Sequence, residues 1–192
     1  MSIKNTDLKE KLKQALISTA KVISDDFDVK KELDQSKGSK KIDFFEIENL
    51  NSKSDLIKAR AESDSAALKK KFSDSKIYKK NLPLNSSCRS LYLIAEKIRY
   101  EALGGKMLKG VKKNFNENYN QIINFKKKDQ ISTKEDVPIS NAFELYMLKK
   151  FHDIKLNSIT NNILGFWERA FDKAINKHIE FVKKNLEHQN EY

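Results

Sequence analysis

The sequence predicts a mainly α fold, an irregular multi-helix domain of five or six helices with a short extended or hairpin excursion near residues 27-48. Three observations lead there. Apolar residues recur at three- and four-residue spacing along most of the chain, the pattern of helices that bury one stripe. No internal repeat at a fixed period and no low-complexity linker breaks up the 192 residues. Eleven Phe, six Tyr and one Trp supply a core that a disordered chain would lack. The hydrophobic fraction of 39% is lean and the charged fraction of 34% is high, which gives a modest core under a heavily charged surface. The length suits one domain, residues 1-192.

The first helix is marked by Leu8, Leu12, Ala15, Leu16, Thr19, Ala20 and Ile23, with Asp7 placed to cap it and Glu10 to complete a box-like pattern. From Asp25 to Asn51 the periodicity changes. Val29 and Leu33 precede a Ser36-Lys37-Gly38-Ser39 turn, and Ile42, Phe44 or Phe45, and Ile47 follow it, which predicts the short hairpin or extended excursion. A second helix over about Ser54 to Phe72 carries Leu56, Ala59, Ser63, Ala66, Ala67 and Lys70 on one side, a narrow face of small side chains. A polar loop runs to Pro83. The third helix starts at Asn85 or Ser86 and aligns Cys88, Leu91, Tyr92, Ala95, Ile98, Ala102 and Leu103, with Gly104-Gly105 suited to its carboxyl cap. The fourth, Lys106 to Lys126, sets Leu108, Val111, Phe115, Asn118 or Tyr119, and Ile122 on one side. After a loop ending at Pro138, a fifth helix holds Phe143, Tyr146, Met147, Lys150 and Phe151. A sixth, from Ser158 towards Glu187, aligns Ile159, Ile163, Phe166, Trp167, Ala170, Ala174, His178 and Phe181.

The formal net charge is +11, yet only four of the 38 cations are Arg (Arg60, Arg89, Arg99 and Arg169). Arg is preferred for forked contacts to phosphate and base edges, whereas Lys is a strongly hydrated point charge. The balance therefore reads as a solvated basic surface ahead of a nucleic-acid face. Cys88 is the single cysteine, so no internal disulfide forms, and a reducing cytoplasm is the expected compartment. The amino terminus has no apolar core of a secretory signal. The longest uncharged run, Leu156 to Trp167, is twelve residues with three Asn, short of the ~20 apolar residues a membrane span needs.

Chemical motifs are scarce. A phosphate-binding loop is approached only at Gly105-Lys106, where Tyr100 stands in place of the first glycine and Met107 in place of Ser or Thr. A metal-binding Asp-x-Ser-x-Ser loop is nearly matched at Asp34-Gln35-Ser36-Lys37-Gly38, with Gly38 replacing the second Ser. His152, His178 and His188 are dispersed; His178 falls on the apolar stripe and reads as a core residue, as Cys88 reads as a buried, inert thiol. No nucleophile, base and orienting group assemble, so no catalytic, cofactor-binding or metal-binding residue is assigned. What is left is charge pairing at helical spacing. Arg60 and Asp64 are i,i+4, and Glu96 and Arg99 are i,i+3, each pair on one helical face.

The stretch Ala95-Glu96-Lys97-Ile98-Arg99-Tyr100-Glu101-Ala102-Leu103-Gly104, followed by Met107, Gly110-Val111 and Asn114, resembles the amino-terminal region of the CobT subunit of aerobic cobaltochelatase. Arg60, Asp64 and Ala67-Leu68 are similar to the family's Arg-Gly-x-Ala-Asp-x-x-Ala-Leu, with Ala61 and Ser63 substituted. Leu12 to Ala20 also fits, so the likeness spans about residues 12 to 114. One departure is plain: where the family continues into His-His-Asp, this chain has Phe72-Ser73-Asp74. Family members also add an acidic linker and a carboxy-terminal von Willebrand A-like domain, and this sequence ends before both.

The resemblance implies a part in ATP-dependent insertion of cobalt into a corrin precursor of cobalamin. It implies two partners, an AAA+ subunit and a large tetrapyrrole-binding subunit. ATP, magnesium and cobalt would be used through those subunits, with no cofactor bound by this chain. Arg60, Asp64, Glu96, Arg99, Glu101, Gly104, Met107, Gly110 and Asn114 become its structural or interface residues. Two other classes compete: a basic helical binder of nucleic acid or another polyanion, and an adaptor of an AAA+ remodelling machine with a different target.

Overall fold

The computed structural model describes residues 2–25, 52–125 and 133–192, and within them the chain is mainly α, with no strand among the described residues. The excursion expected near residues 27-48 and the near-match at Asp34 to Gly38 lie outside the described residues. The chain divides into two compact units, Met1–Lys71 and Phe72–Tyr192, taken here one at a time.

The first unit holds α1 (Ser2–Ser24) and α2 (Lys53–Phe72), whose last residue opens the second unit. Leu16 and Leu12 of α1 pack on Ala59 of α2. Leu16, Ala20 and Ile23 are buried, as the spacing predicts, and so is Ile17, which it does not predict, while Leu8, Ala15 and Thr19 of the predicted stripe are exposed. The expected cap is displaced: α1 begins at Ser2, so Asp7 and Glu10 lie inside the helix, where they bind Lys11 at 2.7 Å and Gln14 at 2.9 Å. The buried residues of α2 are small, Ala59, Ala61, Ser63, Ala67, with Leu68 and Asp64.

The second unit begins with a short helix that sequence periodicity misses, α3 (Ser75–Lys80). Asp74 caps it by accepting from the amides of Lys76 (2.6 Å) and Ile77 (3.2 Å). Next comes α4 (Ser86–Met107), started as expected by Asn85, whose side chain accepts from the amides of Ser87 and Cys88. It runs through Gly104-Gly105 instead of ending there. The carbonyl of Gly104 is bonded by the amide of Leu108, which is the cap. Then α5 (Lys109–Phe125) buries Val111, Phe115, Asn118, Tyr119 and Ile123, so the middle of the predicted stripe holds while its two ends, Leu108 and Ile122, are over 40% exposed.

Helix α6 (Ile139–Phe151) is buried almost all round, through Ala142, Phe143, Leu145, Tyr146, Met147 and Leu148, and α4 packs against both it and α5. The predicted sixth helix is four pieces: α7 (Ser158–Gly165), α8 (Glu168–Phe171), a π-helical turn (Asp172–Asn176) and α9 (Lys177–Lys184). A break at Phe166–Trp167 and the wide turn rotate the register. Phe171 and Ile179 are therefore buried, and Ala170, Ala174, His178 and Phe181 face outward. Phe171 joins an aromatic cluster with Phe143, Tyr146 and Trp167, ring centroids 5.3 to 6.3 Å apart. Cys88, expected inside, is exposed at the first turn of α4, ahead of the point where that helix becomes buried.

Candidate functional site

Three charged residues lie on the buried length of α4: Glu96, Arg99 and Glu101, all 3% exposed or less. At 3.6 residues per turn, Glu96 and Arg99 stand about 60° apart while Glu101 points roughly 160° from Arg99. The motif thus serves two separate places.

Arg99 is fully buried, and a guanidinium taken out of water needs an acceptor for each of its donor groups. It finds them. Nε donates to Glu96 Oε1 at 2.9 Å, Nη1 to the Leu186 carbonyl at 2.9 Å, and Nη2 to the Phe72 carbonyl at 2.6 Å, with Ser73 Oγ and Glu96 Oε2 both at 3.3 Å. Glu96 Oε2 also accepts from Ser73 Oγ at 3.3 Å and Gln189 Nε2 at 3.0 Å. Gln189 in turn accepts the Asp74 amide at 2.7 Å. Tyr192 closes the far side by donating to the Ala95 carbonyl at 3.1 Å. One arginine therefore ties α4 to the segment after α2 and to the stretch that follows α9. The carboxylate of Glu96 is engaged on both oxygens, by Arg99 on Oε1 and by Arg99, Ser73 and Gln189 on Oε2, which suits an anchor.

On the other side, Glu101 accepts a short hydrogen bond from the Tyr119 phenol of α5. Burial, and then the neighbouring Glu101 carboxylate, raise the Tyr119 hydroxyl well above its usual range, so it stays a donor. His152, the cap of α6, brings Nε2 to 4.0 Å from Glu101 Oε2 and packs its ring against Phe115 and Tyr119. That approach is no ion pair. Burial, then the ammonium groups of Lys112 and Lys97, push the imidazole down to about 4 and hold it neutral. Its Nε2 is buried with no hydrogen-bond partner among the described residues.

The other motif residues are scattered. Asp64 is buried on α2 whereas Arg60 beside it is exposed, both in the first unit. Gly104 is buried within α4, Met107 is 55% exposed at its end, Gly110 has open space around it, and Asn114 is half-buried on α5. The Phe72-Ser73-Asp74 segment, which replaces the His-His-Asp of the resemblance, is where the guanidinium docks: Phe72 offers a carbonyl, Ser73 a hydroxyl and Asp74 the amide bound by Gln189. Sequence reasoning missed Ser73, Gln189, Tyr192, Tyr119 and His152, and no local pattern announces them.

The family model described as "cobalamin biosynthesis protein CobT" matches residues 6–192. The chain belongs to the CobT family. That places it in cobalamin biosynthesis. No curated protein and no solved structure matches the chain. The CobT match extends well beyond the motifs between residues 12 and 114, through α6 to α9, so the carboxy-terminal anchor of Arg99 lies within the family's region. No helix among the described residues is long and apolar enough to cross a membrane.

Proposed function

We propose that this chain is a non-catalytic assembly subunit, or part of one, of an aerobic ATP-dependent cobaltochelatase, the ligase that forms nitrogen–metal bonds when cobalt enters the corrin precursor. In this reading it joins the AAA+ subunit to the large tetrapyrrole-binding subunit in the cytoplasm. ATP and magnesium are used by the first and cobalt is held by the second. The CobT match across residues 6–192 carries the reading. The way the motif charges are spent supports it, because Glu96 and Arg99 satisfy each other and nearby backbone, as suits a rigid platform that acts through contact. The corner between α4 and α5, where Met107 and Leu108 are 55% and 43% exposed and Gly110 leaves open space, is the interface candidate the motif offers.

Co-purification with the AAA+ subunit tests this, run with ATP, with ADP and without nucleotide. The expected result is ATP-dependent association, reduced by Met107→Glu at an unchanged melting temperature. Absence of association in every nucleotide state refutes the reading. The net charge of +11 keeps one rival in view, a polyanion binder. Titration of duplex and single-stranded DNA at two salt concentrations separates them, since phosphate binding falls steeply with salt.

A further inference from the structure

At the lower end of α4 a cavity of about 260 Å³ is lined by four lysines drawn from four helices: Lys106 of α4, Lys112 of α5, Lys150 of α6 and Lys183 of α9. The neutral ring of His152 and the carboxylate of Asp153, just past the end of α6, complete its wall. We propose that this cavity binds a compact polyvalent oxyanion, a pyrophosphate-like or polycarboxylate group. The proposal goes beyond the assembly role, because it concerns a ligand of this chain itself.

Convergence is the first support. Lysines on one solvated face repel little and mean little, but here four from separate helices line one space in which Asp153 is the single lining carboxylate, with Asp172 beside Lys150 and Glu180 3.3 Å from Lys183 taking up part of the charge from outside the lining. Two of the side chains are held by the fold. Lys150 donates to Asn176 at 3.1 Å and lies 3.7 Å from Asp172, both residues of the π-helical turn, and Lys106 reaches the Lys183 carbonyl at 3.5 Å. Gly105 helps to admit a third: a Cβ there would meet Lys112 Cβ at 3.4 Å, so the bare backbone lets the lysine chain lie close.

His152 is the second, independent support. Only 3% exposed, it reaches the cavity lining and leaves Nε2 buried without a hydrogen-bond partner among the described residues. The groups that set its charge are Lys112 of α5 and Lys97 of α4, with Glu101 of α4 and Asp153 beside it. Of the two ammonium groups only that of Lys112 lines the cavity, and an anion bound there offsets it, so the cost of protonating the ring falls. The cavity has room for a pyrophosphate-sized or citrate-sized ion.

The test is calorimetric titration of the full chain with pyrophosphate and, separately, with citrate, at matched ionic strength. Saturable binding is expected, weakened at least about tenfold by Lys112→Gln and by Lys150→Gln, the size of one lost charge-assisted hydrogen bond. Lys113→Gln, one residue away on α5 and outside the lining, should leave it unchanged. Saturation should also move the His152 ring proton titration to higher pH. Binding of pyrophosphate alone assigns a phosphate ligand, and binding of citrate alone assigns a carboxylate ligand. Absence of saturation with both ions, or an equal loss in all three variants, overturns the proposal, because general screening then explains the uptake.

Discussion

Replacing Arg99 with alanine removes the guanidinium that bonds Glu96, Ser73 and the carbonyls of Phe72 and Leu186, all at 2.6 to 3.3 Å. The losses are unequal. Each carbonyl forfeits one partner in a dry setting, but Glu96 keeps only Ser73 and Gln189 to solvate a buried charge. Removing one member of a buried ion pair costs about 3–5 kcal/mol, mostly the penalty of the charge left behind. At about 2–4 °C per kcal/mol for a chain of this length, the melting temperature should fall by roughly 6–20 °C. Circular dichroism and calorimetry measure it, read on the transition of residues 72–192 if the two units melt apart. The paired variant Arg99→Met with Glu96→Leu should recover most of the loss, since no charge is then stranded. Arg99→Lys should not, because one ammonium cannot span two carbonyls and a carboxylate as the planar fork does. A fall of less than about 2 °C for Arg99→Ala, under 1 kcal/mol on the same scale, refutes the hub.

Gln189→Ala deletes a donor to Glu96 and leaves the Asp74 amide without its acceptor, for an expected cost of about 1–3 kcal/mol by denaturant unfolding; its effect should be less than additive with Arg99→Ala, and strict additivity would break the network into unrelated bonds. His152 is held at about 4 against an ordinary 6.5, so the unfolded chain binds the extra proton first. Stability should be flat above pH 6.5 and decline as the pH falls towards 4, by on the order of 3 kcal/mol in all. A ring titration midpoint near 6.5 in the folded protein contradicts this. Cys88 is exposed, so a thiol reagent should label it in the native state at the rate of a free cysteine with no change in melting; a protected thiol would show that the start of α4 is covered.

How much of this was legible in the sequence follows from the range of each interaction. The α class, the extent of α2 and the start of α4 at Asn85 or Ser86 are local matters and were read correctly, as was the Glu96–Arg99 pair, three residues apart on one helix. The rest of the site was not. Arg99 meets Leu186 across 87 residues, and Gln189 meets Glu96 across 93, distances over which periodicity carries no information. The long final helix failed for a different reason. Its stripe was extrapolated at a constant 3.6 residues per turn, and a π-helical turn at Asp172–Asn176 changes the phase without any glycine or proline to signal it. His178 was lost to the same slip. Gly104-Gly105 looked like a stop because glycine often ends helices, yet here the pair lies inside α4, where Gly105 makes space for the neighbouring helix.

Arg99 grips Phe72 and Leu186 through their main-chain oxygens, atoms that every amino acid carries. As far as these two bonds go, the identity of the gripped residues is free to drift across relatives while the gripping one is not. Each of these two bonds is written at one position and leaves no second letter to co-vary with it, so pairwise sequence statistics could register the Glu96–Arg99 pair and still pass over the ties that carry Arg99 to the Phe72 and Leu186 main chain.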